Sequence, residues 1–101
     1  MRKKLSSKEI SENLKILDFN WTIENDKLIN NYEFKSFELA IEFINLVAKK
    51  CDELDHHPTW ENTYNKIRIE LNTHDINGIS SLDFELANYM NKTFKKIKDG
   101  K

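Results

Sequence analysis

The sequence predicts an α+β fold, a four-stranded antiparallel sheet with three helices on one face, in the order α-β-β-α-β-β-α. Apolar residues recur every three to four positions in three stretches and every second position in the stretches between them, and this change of period separates helices from strands. Each connection between strands is either a tight turn or one long helix, so the strands pair largely antiparallel and one sheet face is left bare.

Ser6-Ser7-Lys8-Glu9 has the form of a capping box, which starts a first helix carried by Ile10, Leu14 and Leu17. From Trp21 the period becomes two. Trp21 and Ile23, then Leu28, Asn30, Tyr32 and Phe34, share a face across a break at Glu24-Asn25-Asp26-Lys27, the pattern of a hairpin. Ser36 caps a second helix whose stripe is Phe37, Ala40, Ile41, Ile44, Val47, Ala48, Cys51 and Leu54. Pro58 forces residue 57 toward extended backbone, so the chain leaves that helix between Asp55 and His57. A second hairpin follows from Thr59 and ends at His74, with Ile67, Ile69, Leu71 and Thr73 opposite Arg68, Glu70, Asn72 and His74. Asn77-Gly78 makes the turn into a third helix. Ser80-Ser81-Leu82-Asp83 caps it, Ile79 and Phe84 form a staple, and Leu86, Ala87, Met90, Phe94 and Ile97 line it. With Tyr89, these last residues make an apolar arc wide enough to suggest a subunit contact.

At 101 residues, the chain has room for one core, and residues 1–101 read as a single domain. Lys+Arg 16 against Asp+Glu 17 leaves a charge of -1, with basic runs only at Arg2-Lys3-Lys4 and Lys95-Lys96-Ile97-Lys98; direct nucleic-acid binding is not expected. One cysteine, Cys51, cannot form an internal disulfide, and the first residues lack the apolar core of a signal peptide. A cytoplasmic protein with no membrane span is the expectation.

Function is suggested by histidine. All three, His56, His57 and His74, fall in one short window flanked by Asp52, Glu53, Asp55 and Asp75. Imidazole titrates nearest neutral pH, so such a group suits proton transfer. Cys51 with the three histidines also offers four zinc-ligand types, but Cys51 lies on the apolar stripe and adjacent histidines on extended backbone point apart. No metal is expected.

The spacing Asp52-x3-His56-His57-Pro58-x5-Tyr64-x9-His74-x8-Asp83 closely resembles the signature of the pterin-4a-carbinolamine dehydratases. The likeness extends to Leu5-Ser6, Trp21, Phe34-Lys35-Ser36-Phe37, Ala40, Phe43 and Tyr64-Asn65-Lys66. It implies dehydration of a 4a-hydroxytetrahydropterin to quinonoid dihydropterin, as in tetrahydrobiopterin recycling, with no cofactor. By that resemblance His56 and His74 are the acid and base, and His57 chiefly holds the substrate. Asp52 and Asp55 orient imidazoles or relay protons, Trp60 walls the flat ring, and exposed backbone around Thr73 reads its polar edge. Asp83 is fully explained as a capping carboxylate, while Tyr64 and Trp21 are read as packing residues.

The partners implied are a small-molecule pterin, further copies of the chain in a dimer or tetramer, and a functional link to an aromatic amino acid hydroxylase. Two other readings stay open. Animal members of the family also stabilise dimers of a homeodomain transcription factor, so a protein-binding module of the same fold is one; a dehydratase acting on a related pterin is the other.

Overall fold

A computed structural model describes residues 3–100, so Arg2 of the first basic run lies outside the described residues. The elements are α1 (Ser7–Ile16), β1 (Thr22–Glu24), β2 (Lys27–Glu33), α2 (Phe37–Leu54), β3 (Thr59–Thr63), β4 (Lys66–Leu71), a 3-10 turn (His74–Ile76) and α3 (Ser81–Gly100). The four strands form one antiparallel sheet in the order β1-β2-β4-β3. The expected fold class and element order are both observed.

The helix starts follow from the predicted caps. Ser6 Oγ accepts the Glu9 amide at 3.1 Å while Glu9 returns a carboxylate oxygen to the Ser6 amide at 2.9 Å, closing the capping box of α1. These hydrogen bonds hold the Glu9 carboxyl below its ordinary range. Ser36 Oγ accepts the Leu39 amide at 3.3 Å and starts α2. That helix buries Ala40, Phe43, Val47 and Cys51, whereas Phe37, expected on the stripe, is 47% exposed in its first turn.

The first hairpin turns more tightly than the sequence pattern suggests, and the second turns at residues the pattern did not mark. The first needs only Asn25-Asp26, both left-handed (φ 51 and 59), because Glu24 already pairs with Lys27. Asn and Asp tolerate that conformation, as a two-residue turn matching the sheet twist requires. The second turns at Tyr64-Asn65 between β3 and β4, with Tyr64 left-handed (φ 53) and 67% exposed. Tyr64 is therefore a turn residue and not a packing residue. Nor does β4 run on to His74. The Thr73 amide donates to Gly78 O at 2.7 Å and Gly78 returns its amide to Thr73 O at 3.4 Å, so a small closed loop with His74 in its 3-10 turn replaces the strand end.

The core lies between one sheet face and the helices. Leu28 and Tyr32 of β2 and Ile67, Ile69 and Leu71 of the neighbouring central strand β4 meet Phe43 and Val47 of α2 and Leu86 and Met90 of α3. Burying side chains of this size contributes about 1.5–3 kcal/mol each. Asn91 ties the polar atoms of this layer together, its Oδ1 accepting Trp21 Nε1–H at 2.9 Å and Tyr32 O–H at 2.5 Å. Its amide in turn donates to Asp18 O at 2.9 Å. Trp21 is thus buried as expected, with its one donor satisfied.

Two grounds for expecting a subunit contact weaken. The bare sheet face is polar, with Glu70 paired to Lys27 at 3.3 Å and to Arg68 at 3.2 Å. Of the apolar arc on α3, Leu86, Met90 and Ile97 are buried in the chain's own core, and Tyr89 and Phe94 pack partly against it.

Candidate active site

The site begins with how α2 ends. Asp55 adopts left-handed backbone (φ 50, ψ 47), its amide donating to Asp52 O at 3.2 Å while the His56 amide reaches back to Cys51 O at 3.0 Å. That pair of bonds is a Schellman termination, a position where glycine is usual and Asp is among the few tolerated substitutes. The reversal sends the next two side chains apart. His56 is 3% exposed, whereas the His57 side chain is 59% exposed.

Inside, His56 meets a buried polar network. Its Nε2 lies 2.5 Å from Asp83 Oδ1, and Asp83 is itself fully buried. The other carboxylate oxygen accepts the Ser80 amide and the Thr73 hydroxyl, both at 2.9 Å. Thr73 Oγ1 also lies 2.7 Å from Ser80 Oγ, which accepts the Leu82 amide at 3.2 Å to complete the start of α3. Asp83 is the expected cap, and it is also the partner of His56. The cap fully accounts for Ser80-x-x-Asp83 in the sequence, so it concealed this second bond. Because the carboxylate accepts, Nε2 carries the imidazole hydrogen and Nδ1 is left as an acceptor with no partner among the described residues.

Outside, His57 Nε2 lies 3.0 Å from Asp52 Oδ1. His74 is exposed in the 3-10 turn; its carbonyl accepts the Asn77 amide at 3.2 Å, and its imidazole makes no hydrogen bond among the described residues. A depression of about 160 Å³ is lined by Asp55, His56, His57, Asn72, His74 and Asp75, so all three histidines share one surface despite their different burial. Asn72 was not singled out by sequence reasoning, and nothing in its strand pattern marks it.

Three expected residues stand elsewhere. Asp52 is reached only through His57. Trp60 is half-buried on β3 opposite Ile69 and packs against the core; it lines a separate 90 Å³ hollow with Thr59, Glu61, Arg68 and Glu70. Thr73 is fully buried and its amide and carbonyl are both used by Gly78, which corrects the expectation that its backbone lies open to a ligand.

Among the described residues, no three His, Cys, Asp or Glu side chains are grouped to hold a metal ion, and no helix is long and apolar enough to cross a membrane. Burial first, and the neighbouring Asp52 charge second, push the Cys51 thiol up to about 11. It is a packing thiol and not a nucleophile at neutral pH.

Residues 3–93 match the family model described as pterin 4 alpha carbinolamine dehydratase. A protein of Metallosphaera sedula, provisionally named a pterin-4-alpha-carbinolamine dehydratase, is 38% identical over 94 residues, covering 93% of this chain and 97% of its own. One from Prochlorococcus marinus strain MIT 9312, named likewise, is 43% identical over 74 residues, 73% of this chain and 77% of its own. The crystal structure of a transcriptional coactivator/pterin dehydratase from Brucella melitensis superposes with a TM-score of 0.87 at 34% identity, covering 90% of this chain and 98% of that one. A pterin dehydratase-like protein identified as a RuBisCO assembly factor in the alpha-carboxysome shares the fold, with a TM-score of 0.62 at 14% identity over 75% of this chain and 88% of its own.

Proposed function

Because the chain belongs to the pterin 4 alpha carbinolamine dehydratase family, we propose that it dehydrates a 4a-hydroxytetrahydropterin to quinonoid dihydropterin and water by histidine acid/base chemistry. The observation that carries this reading is the depression shared by His56, His57 and His74, with His56 backed by a buried carboxylate. In the reaction, the C4a–O bond breaks as the hydroxyl takes a proton and leaves as water. The N5–H proton is removed, and its electron pair forms the N5=C4a double bond. A group that gives a proton and a group that takes one are sufficient.

The hydrogen-bond pattern supports one division of these roles. With Nε2–H committed to Asp83, His56 offers Nδ1 as an acceptor, which suits it to take the N5 proton. The His74 imidazole, which has no partner among the described residues and lines the depression, is the group assigned to protonate the leaving hydroxyl. His57, steadied by Asp52, supplies a further hydrogen bond to the substrate. Asp55 lines the depression, which supports assigning it the proton relay.

Tetrahydrobiopterin recycling, a functional link to an aromatic amino acid hydroxylase that generates the carbinolamine, a cytoplasmic setting and self-association belong to the same reading. The test is direct. Purified protein, exhaustively chelated, should accelerate decay of a 4a-hydroxytetrahydropterin followed by ultraviolet absorbance; a decay rate equal to buffer alone would refute the activity.

A further inference from the structure

A second cavity lies at the other end of the same elements. The histidine depression sits where α2 and β4 end and α3 begins, whereas a cavity of about 430 Å³ sits where β2 ends, α2 begins and α3 finishes. The two share no lining residue. The second has a volume within the range of about 300–1,000 Å³ usual for small-molecule sites.

Its floor is apolar. Phe34 and Phe94 stand edge to face, with 5.1 Å between ring centroids at 77°, and Leu39 and Ile97 complete the surface. Phe94 and Leu39 are only partly buried, so a further ring or branched chain laid on them removes apolar surface from water.

The rim carries both signs of charge. Glu33, Lys35 and Lys98 line it, all three are exposed, and none makes an ion pair among the described residues. Asn65 donates Nδ2–H to Phe34 O at 2.7 Å, which leaves its Oδ1 as an acceptor with no partner among the described residues. Lys35 also stands directly before Ser36, the N-cap of α2, where the helix dipole adds to its positive charge. An apolar acid at this rim would set its carboxylate against Glu33, and an apolar amine would meet two lysines. A molecule with an ammonium and a carboxylate on one carbon, beside an apolar group, satisfies every partner.

We propose that this cavity binds a free α-amino acid with a large apolar side chain. The side chain lies on the Phe34 and Phe94 floor, the carboxylate is held by Lys35 and Lys98, and the ammonium by Glu33 and Asn65 Oδ1. The site is separate from the proposed dehydration and stands or falls independently of it.

The experiment follows the backbone amides of the full chain by proton–nitrogen NMR during titration with L-phenylalanine, and then with 3-phenylpropionate, phenethylamine and L-alanine, which lack the ammonium, the carboxylate and the ring. A ligand of this size should bind with a dissociation constant on the order of 1 mM. Saturable shifts should gather around Glu33, Lys35, Leu39, Asn65 and Phe94, with His56, His57 and His74 unmoved, and each analogue should bind more weakly than L-phenylalanine. Glu33→Gln, a change at an exposed side chain, should weaken L-phenylalanine by about threefold to fivefold and leave 3-phenylpropionate no weaker. The absence of saturable shifts with L-phenylalanine, shifts confined to the histidine depression, or 3-phenylpropionate binding as tightly as L-phenylalanine overturns the proposal. An equal effect of Glu33→Gln on both ligands overturns the ammonium contact on which the choice of an amino acid rests.

Discussion

Replacing Asp83 separates a cap from a cap that also sets an imidazole. Its carboxylate serves three buried donors, the Ser80 amide, the Thr73 hydroxyl and His56 Nε2–H. Leaving a buried donor unsatisfied costs about 1–3 kcal/mol, so Asp83→Ala should cost about 3–9 kcal/mol of a typical domain stability of about 5–15 kcal/mol. That variant will be too unstable to interpret kinetically. Asp83→Asn is the informative change. One oxygen remains for Ser80 and Thr73, but the other position becomes an NH2 that meets the His56 Nε2–H donor to donor. His56 can escape only by moving its hydrogen to Nδ1, which turns the acceptor at the depression into a donor. Turnover should then fall by roughly 10²–10⁴, the usual worth of a positioned acid or base, while stability drops by only about 1–3 kcal/mol. The assay is carbinolamine decay at saturating substrate with urea denaturation of the same preparation. If Asp83→Asn keeps turnover within about twofold of wild type, Asp83 is a cap alone and the tautomer argument is wrong.

His74→Ala should lower kcat by about two orders of magnitude, whereas His57→Ala should act mainly on KM; equal, small effects at both would disconnect the depression from the chemistry. Cys51 gives a pH test. Its thiol is raised from the ordinary 9.0 to about 11, so both states keep the proton below pH 9 and between 9 and 11 the unfolded chain ionises first. Stability should fall across that window, with a shallower slope in Cys51→Val, and identical slopes would mean the thiol is not protected by the fold. Self-association is expected because the outer edge of β3 has no strand beside it among the described residues, and light scattering at micromolar concentration should give two or four chain masses. A single 12.0 kDa species would remove it.

Periodic elements and caps were legible because their causes are local. The Ser6 capping box, the stripe of α2 and the alternation of Leu28, Asn30 and Tyr32 each depend on residues a few positions apart. Turn lengths were less so. Tyr64 in left-handed backbone contradicts its own preference, and only pairing of Thr63 with Lys66 explains it. The histidine cluster was visible as composition, but its internal logic was not. The His56–Asp83 bond spans 27 residues, and the burial difference between neighbouring His56 and His57 is created by the turn at Asp55. Trp60 and Thr73 show the converse, with sequence proximity to the histidines suggesting an access that the packed core and the Gly78 loop do not give.

The left-handed residue at the end of α2 also fixes how this corner can vary. What puts one imidazole indoors and its neighbour outdoors is the number of residues between Cys51 O and the left-handed residue that reverses the chain. Glu53 lies within that count and makes no bond to either histidine, so a change of letter there is compatible with the site. A change of length is not. Removing one residue would carry His57 into the place of His56, opposite Asp83, and move Pro58 to where an imidazole now meets water. The segment is thus a spacer of set length.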